Sequence, residues 1–400
     1  MVPEDWKVQK ISECLERVVD AVAPEPDKFY REIGIRSHAK GIFHKEPVTG
    51  KSLGDKRVFN IYPDCFVVNI VFAWEQAIAM TSNNEVGMIA SHRFPMFRTK
   101  KNRCDISYIT YFFKTLRGKY LLELASPGGA GRNKTLGQNE FAKLEILLPP
   151  PGEQRRIAQI LSTWDRAIEI TEKLLSNSQQ QKKFLMQHLL TGKKRFPGFN
   201  GEWKNTNLSK IASVIMGSSP KSEAYNDENM GLPLLQGNAD IKNRLSSPRI
   251  FTSQITKECM IGDVLLSVRA PVGEISRSIH HACIGRGIAA IQAKSGVCQD
   301  FIYQWFLYFE PKWERLSQGS TFESINSNDI KSLPMEIPSF EEQQKIVSIL
   351  FAADKEIEAL QQKFECLKQE KKALMQQLLT GKRRVKVDEK EISQKEAARA

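Results

Sequence analysis

Residues Glu153 to Gly192 recur 189 positions later as Glu342 to Gly381, with 18 of 40 positions identical, and no other feature of the chain constrains its fold as tightly. Both copies open on Glu-Gln, run through an apolar pattern and close on Met-Gln-x-Leu-Leu-Thr-Gly. Basic residues follow each copy: Lys193, Lys194 and Arg195, then Lys382, Arg383 and Arg384. Each copy closes a segment of similar length, so the chain reads as a duplicated unit of head and helix.

The periodicity inside the copies is that of a coiled coil. Ile157, Leu161, Trp164, Ile168, Thr171, Leu175, Ser178, Lys182, Leu185 and Leu189 follow a 4-3 spacing in the first copy. Ile346, Leu350, Ala353, Ile357, Leu360, Phe364, Leu367, Lys371, Leu374 and Leu378 keep the same phase in the second. Apolar residues sustained at that spacing over five heptads predict two long helices, each needing a partner helix. Pro151 suits a first helical position, Ser339 and Glu342 have the spacing of a capping box, and Gly192 and Gly381 supply left-handed stops. Lys182 and Lys371 hold the same seam position. A cation there either fixes register at a cost in stability or snorkels to water.

At 400 residues the chain has room for two to three domains. The first 30 residues carry charges throughout, and no run of 18 apolar residues occurs, so the sequence predicts a cytoplasmic protein rather than an exported or membrane-spanning one. Seven cysteines, scattered without a Cys-x-x-Cys pair, argue against a disulfide framework. A formal charge of +12 suits a polyanionic partner such as nucleic acid.

The expected boundaries are a head over 1–150, a helix over 151–193, a second head over 194–338, a second helix over 339–381 and a polar, disordered tail over 382–400. The heads are mixed in pattern and share a plan. Each enters through Trp-Lys, at Trp6-Lys7 and Trp203-Lys204. Asp105-Ile-Ser-Tyr108 and Asp300-Phe-Ile-Tyr303 each open an aromatic helix, followed by a loop over 126–137 in the first head and over 317–327 in the second. The helix aromatics are read as core residues.

Catalytic signatures are weak. Thr49-Gly50-Lys51-Ser52 ends like a phosphate-binding loop but has Lys45 where the first glycine belongs. Gly285-Arg-Gly287-Ile-Ala-Ala290 matches a dinucleotide fingerprint variant, yet the residues after it are too short for a helix, and a strand-to-loop turn fits better. His280 and His281 lack acidic or thiol companions at ligand spacing. No Asn-Pro-Pro-aromatic stretch of the amino-methyltransferase kind occurs. The expectation is a chain without catalytic residues, metal or cofactor.

Candidate DNA-binding residues lie in the heads. Residues 93–103 read RFPMFRTKKNR and place Arg93, Arg98, Lys100, Lys101 and Arg103 around two phenylalanines, either a phosphate-tracking surface or a solvated loop. In the loop GGAGRNKTLG, Arg132, Asn133 and Lys134 offer donors beside glycines that would let a phosphate approach, unless the glycines serve only the turn. The second head places Gln236, Asn238, Arg269 and Arg286 in turns beside short apolar strands, where amides and guanidinium groups could read adenine or guanine, although Pro271 and Gly273 read more strongly as a strand ending in a tight turn. Lys221, Ser320 and Thr321 complete the candidates.

These features resemble the specificity subunits of type I restriction-modification systems. The resemblance rests on both copies of E-Q-x-x-I…L-L-T-G, on Leu235-Gln-Gly and Val268-Arg-Ala-Pro-Val-Gly, and on the head-helix-head-helix order. It implies an α+β chain in which two target recognition domains each read half of a split, asymmetric DNA site. Two long helices would pack as an antiparallel coiled coil with a pseudo-twofold internal repeat, set the spacing and dock two modification subunits. Methyl transfer and cleavage would belong to modification and restriction subunits. The first head departs from the pattern by lacking a clear Arg-Ala-Pro-Val-Gly. Two other readings of the residues stay open: a stand-alone repressor-like DNA-binding protein and a coiled-coil scaffold.

Overall fold

A computed structural model describes residues 3–100, 103–128, 134–269, 271–318 and 324–386. The chain divides into two units, one of residues 1–170 and 364–400, the other of residues 171–363. Each unit therefore holds one head and a length of both long helices.

The helices run Pro151–Leu189 and Phe340–Leu378, 39 residues each, or about 58 Å at about 1.5 Å per residue. Their ends follow the sequence. Pro151 is the first helical residue, and Gly192 and Gly381 adopt φ of 67° and 72°, as a left-handed stop requires. Half of the expected capping box is present: the Ser339 hydroxyl accepts from Glu342 N at 3.3 Å, whereas the Glu342 carboxylate takes Arg195.

In both units the helices pair antiparallel. In the first, Asp165 of the first helix meets Lys371 of the second, and Glu153, twelve residues earlier, meets Arg384, thirteen residues later. In the second unit, Ser178 meets Glu356 at 3.0 Å and Lys182 meets Asp354. Numbers rise along one helix as they fall along the other. Every seam position of both heptad patterns is buried or half-buried, and Ile157, Leu161, Leu175, Leu189, Ile346, Leu350 and Leu378 are fully buried. Ile168, Leu185, Ile357, Phe364 and Leu374 are half-buried. Lys182 and Lys371 do not reach open water: their side chains are 14% and 15% exposed and end on carboxylates. The seam cation thus selects one register by pairing.

The first head begins and ends on one antiparallel ladder, Lys7–Lys10 with Glu145–Leu148. Its main sheet orders Ile78–Met80, Phe66–Val68, Met96–Thr99 and Leu15–Val18 side by side. The aromatic helix Ile106–Phe113, capped by the Asp105 carboxylate on Tyr108 N, packs on this sheet and builds a core with Phe66, Phe97, Phe113 and Phe141. These rings lie 5.2 to 6.0 Å apart in tilted and stacked pairs, so the aromatics of this stretch are core, as the sequence indicates.

The second head repeats the plan with a larger sheet. Lys204–Asn207 pairs with Pro334–Ile337 as its opening and closing ladder. A six-stranded sheet orders Ala212–Met216, Ile288–Ala293, Val264–Ser267, Ile275–Arg277, Leu245–Ser246 and Ile241–Lys242, and a five-stranded sheet orders Tyr225–Asn226, Ile250–Thr252, Leu232–Leu235, Ala282–Ile284 and Glu258–Cys259. The helix Gln299–Gln318 carries the buried Phe301, Trp305 and Phe306. It reaches into the segment expected as a loop from Ser317, despite Pro311. Among the described residues no helix is long and apolar enough to cross a membrane.

Candidate nucleic-acid interface

In the second head, four separate turns are drawn together by backbone hydrogen bonds. Ser218 N donates to Ile284 O at 2.9 Å, Gly285 N to Leu235 O at 2.8 Å, Gly287 N to Gln236 O at 3.1 Å and Val268 N to Gly287 O at 2.9 Å. The approach requires glycine. A Cβ at Gly287 would fall 2.3 Å from Gln236 O, and one at Gly217 would fall 2.2 Å from Gly285 O. Gly285-Arg-Gly287 is accordingly a tight turn between the strands Ala282–Ile284 and Ile288–Ala293, with no dinucleotide helix after it.

These turns border an open cavity of about 610 Å³, lined among others by Ser219, Gln236, Asn238, Ser267, Arg269 and Arg286. The four residues that sequence reasoning placed in scattered turns therefore share one wall. Their supports are local. Gln236 N donates to Asp240 Oδ2 at 2.8 Å, and Asp240, 1% exposed, also takes Arg249 Nε at 2.9 Å. Asn238 Nδ2 donates to Glu274. Ser219 Oγ accepts from Arg286 N and Nε at 3.2 and 3.4 Å. Lys221 is exposed between the lining residues Pro220 and Ser222. Ser320 and Thr321 lie outside the described residues.

The first-head candidates are dispersed. RFPMFRTKKNR contains a strand, Met96–Thr99, hydrogen-bonded on both sides, so Phe97 enters the core at 7% exposure and is not available to stack on bases. Arg98 projects to Glu16 at 2.6 Å and Lys100 to Ser12 O at 2.8 Å. Arg103 is exposed. Arg93 borders a different concavity of about 450 Å³ with Lys45, Lys56 and His92. Both of those lysines pair with Glu32, which is 7% exposed. Lys134 meets Glu123 at 2.7 Å and lies 5.7 Å over the Trp74 ring. Lys101, Arg132 and Asn133 lie outside the described residues.

The remaining sequence motifs have structural roles. Gly50–Leu53 forms one short helical turn capped by Thr49 Oγ1. His280 Nδ1 meets Ser246 Oγ at 2.7 Å and His281 Nε2 meets Glu258 at 2.6 Å. Among the described residues no group of three or more His, Cys, Asp or Glu side chains has the geometry to hold a metal ion.

Sequence reasoning missed the residues that close the helix frame. Arg384 grips Glu153 through Nε and Nη2 at 2.8 Å each and Asp5 at 2.6 and 2.8 Å. Hydrogen bonds to these two carboxylates hold the guanidinium above its ordinary pKa. Arg195, exactly one repeat earlier in sequence offset, grips Glu342 at 2.7 and 2.9 Å, and that contact likewise raises its pKa. Gln154 and Gln343 match too. Each side-chain carbonyl accepts from the backbone just before the head's aromatic helix, at Asp105 N and Cys298 N, 2.8 Å in both cases. Each amide donates to a proline carbonyl, Pro149 at 2.8 Å and Pro338 at 3.0 Å. The signal was present: Glu153 and Gln154 match Glu342 and Gln343 at positions off the apolar seam, and Arg195 and Arg384 follow the two copies at the same offset.

Comparison with known proteins accords with this duplicated frame. The sequence profile of the type I restriction modification DNA specificity domain matches residues 54–177 and 200–369. The chain is 29% identical to the putative type I restriction enzyme MjaX specificity subunit of Methanocaldococcus jannaschii over 96% of this chain and 95% of that one. It is 22% identical to the MjaVIII specificity subunit of the same organism over 96% and 94%. Among solved structures it is similar to the HsdS subunit from Thermoanaerobacter tengcongensis, with a TM-score of 0.52, 25% identity and coverage of 95% and 98%. It shares the fold of the type I restriction-modification S subunit from M. genitalium at a TM-score of 0.62 and 14% identity, over 94% and 96%. With most of both heads and of both helices inside the profile's match, the chain belongs to the family of type I restriction-modification DNA specificity subunits.

Proposed function

We propose that this chain is the non-catalytic DNA-recognition subunit of a type I restriction-modification complex, in which each head reads one half of a bipartite, asymmetric site on double-stranded DNA. The helices set the distance between the half-sites and dock two modification subunits. Methyl transfer and, where restriction subunits join, cleavage take place on those partners, in the cytoplasm. One observation carries this reading: the frame contacts Glu153–Arg384 and Glu342–Arg195 repeat residue for residue, while the heads they hold present different polar groups. A constant frame with unlike heads is what two unlike half-sites demand. The candidate contacts are Arg93, Arg98, Lys100, Arg103 and Lys134 in the first head, and Lys221, Gln236, Asn238, Arg269 and Arg286 in the second.

The test is a head exchange. Residues 1–150 are replaced by the corresponding head of a relative, the chain is co-purified with its modification subunits, and methylated adenines are mapped. One half-site changes and the other persists. If both halves changed together, or neither did, the assignment of one head to one half-site would be wrong.

A further inference from the structure

We infer that the cavity of the second head is a base-reading site in which Arg269 and Arg286 recognise guanine, so that the half-site bound there contains at least one guanine. This rests on the reading that the second head contacts DNA, and it adds which groups read and what they read.

The argument begins with how the arginines of this unit spend their charge. Arg195 meets Glu342, Arg244 meets Glu310, Arg249 meets Asp240 and Arg277 meets Asp300. Among the described residues, Arg269 and Arg286 meet no carboxylate, and both line the same cavity. Among the described residues no acid takes their terminal N–H groups, which stand available to an acceptor on a ligand.

The neighbours select the acceptor. A phosphate offers acceptors only, and a phosphate site needs nothing but donors. This cavity adds the side-chain amides of Gln236 and Asn238, each of which both donates and accepts. Guanidinium groups beside amides match the major-groove edges of bases: arginine pairs with O6 and N7 of guanine, and an amide pairs with N6 and N7 of adenine.

The site is also preorganised. Ser219 Oγ holds Arg286 at N and Nε, which leaves both Nη atoms as a fork. Glu274 takes one Asn238 N–H, fixing the amide while its oxygen and second N–H stay uncommitted. The backbone carrying Gln236 is held by Asp240 and by Gly287 N. Ser219 and Glu274 are therefore positioning residues, and Arg269, Arg286, Gln236 and Asn238 are readers. The first-head concavity differs in kind, because Glu32 already takes Lys45 and Lys56.

The experiment uses the complex co-purified with its modification subunits, carrying wild-type chain, Arg269→Ala, Arg286→Ala or Arg286→Lys. Methylated sites are mapped first. Binding is then measured on duplexes with single base-pair changes, across a salt series. At one guanine position of the second half-site, discrimination falls about ten- to a hundredfold in at least one alanine variant, while the first half-site is unchanged. Arg286→Lys does not restore what Arg286→Ala loses, because an ammonium lacks the fork. Melting temperatures stay at the wild-type value, since both side chains are exposed and unpaired by acids.

Uniform weakening over all sequences, with the salt slope reduced by about one per arginine, would mean phosphate contacts and overturn the proposal. Unchanged binding and unchanged sites would overturn it as well. Exchange of residues 194–338 separates the two levels of the argument. If that exchange alters the second half-site while the arginine variants do not, the cavity assignment falls and the DNA-reading head stands. If the exchange itself leaves the half-site unaltered, the head assignment falls.

Discussion

Arg384→Ala removes the guanidinium that closes the first unit's helix pair. Glu153 is 3% exposed and accepts two hydrogen bonds from Arg384 at 2.8 Å, with Trp6 Nε1 a weaker third donor at 3.3 Å. A net hydrogen bond to a charged group contributes about 1.5–3 kcal/mol, and a carboxylate left buried without its partner costs several more. Arg384 is 45% exposed, however, so water enters where it leaves. Discounting for that access gives a loss of about 2–3 kcal/mol for Arg384→Ala. Glu153→Gln keeps the shape and removes the charge. The two variants and their combination form a double-mutant cycle, read by urea unfolding and by hydrogen exchange at residues 3–10 and 151–157. The coupling is about 1–3 kcal/mol. Asp5→Ala costs less than Arg384→Ala, since the Asp5 side chain is 47% exposed. The same cycle on Arg195 and Glu342, where the carboxylate is 1% exposed, gives a coupling at least as large. Additive losses, with coupling below about 0.5 kcal/mol in both cycles, would refute the claim that these residues lock the frame.

Leu350→Ala, at a fully buried seam position, lowers stability by about 2–5 kcal/mol, and the half-buried Leu374→Ala loses less; equal losses in thermal melts would contradict the burial gradient. Four residues inserted in both helices, after Ile170 and after Lys363, add about 6 Å and widen the unread gap by about two base pairs, as methylation mapping would reveal. Insertion in one helix alone instead throws Lys182 and Asp354 or Asp165 and Lys371 out of register and lowers the melting temperature. Asp263 has a raised pKa, chiefly from burial, partly offset by the Gln292 amide and Met260 N. The folded state therefore holds its proton more tightly than the unfolded state, and stability falls as pH rises from the ordinary carboxylate range through the raised value. Asp263→Asn abolishes that fall, and a pH series of urea midpoints with the same slope in both proteins would refute it.

The helix frame was legible because its determinants are local and doubled. The apolar spacing, Pro151 and the two terminal glycines each act within a turn or two of where they stand, and two copies in the same phase remove the ambiguity of a single pattern. The aromatic helices were legible for the same reason. The helix locks were not, since Glu153 and Arg384 are 231 residues apart and no periodicity joins them. Their identity across the repeat marked them as constrained without saying by what. The second-head cavity stood between these cases. Its four polar residues could be picked by type beside glycines, but their meeting depends on backbone bonds such as Gly287 N to Gln236 O, which no window of sequence contains. In the first head, residue type did not reveal the surroundings: the basic stretch reads as a phosphate-tracking surface or a solvated loop, and a strand between two others turns its Phe97 into the core.

The opening and closing ladders have a consequence for descent. Lys7–Lys10 lies against Glu145–Leu148, and Lys204–Asn207 against Pro334–Ile337, so each head leaves the helix frame at the place where it entered. Two crossovers in the coding sequence, far apart in the gene but side by side in the folded product, lift out a whole head and leave behind the helix residues its core packs on, such as Ile157 and Leu161 or Ile346 and Leu350. For the second head, the two helix copies supply similar sequence on either side for such an exchange. New pairings of heads can thus arise by recombination in a single step, inheriting an assembly that already folds and docks, where point mutation would have to alter a reader one contact at a time.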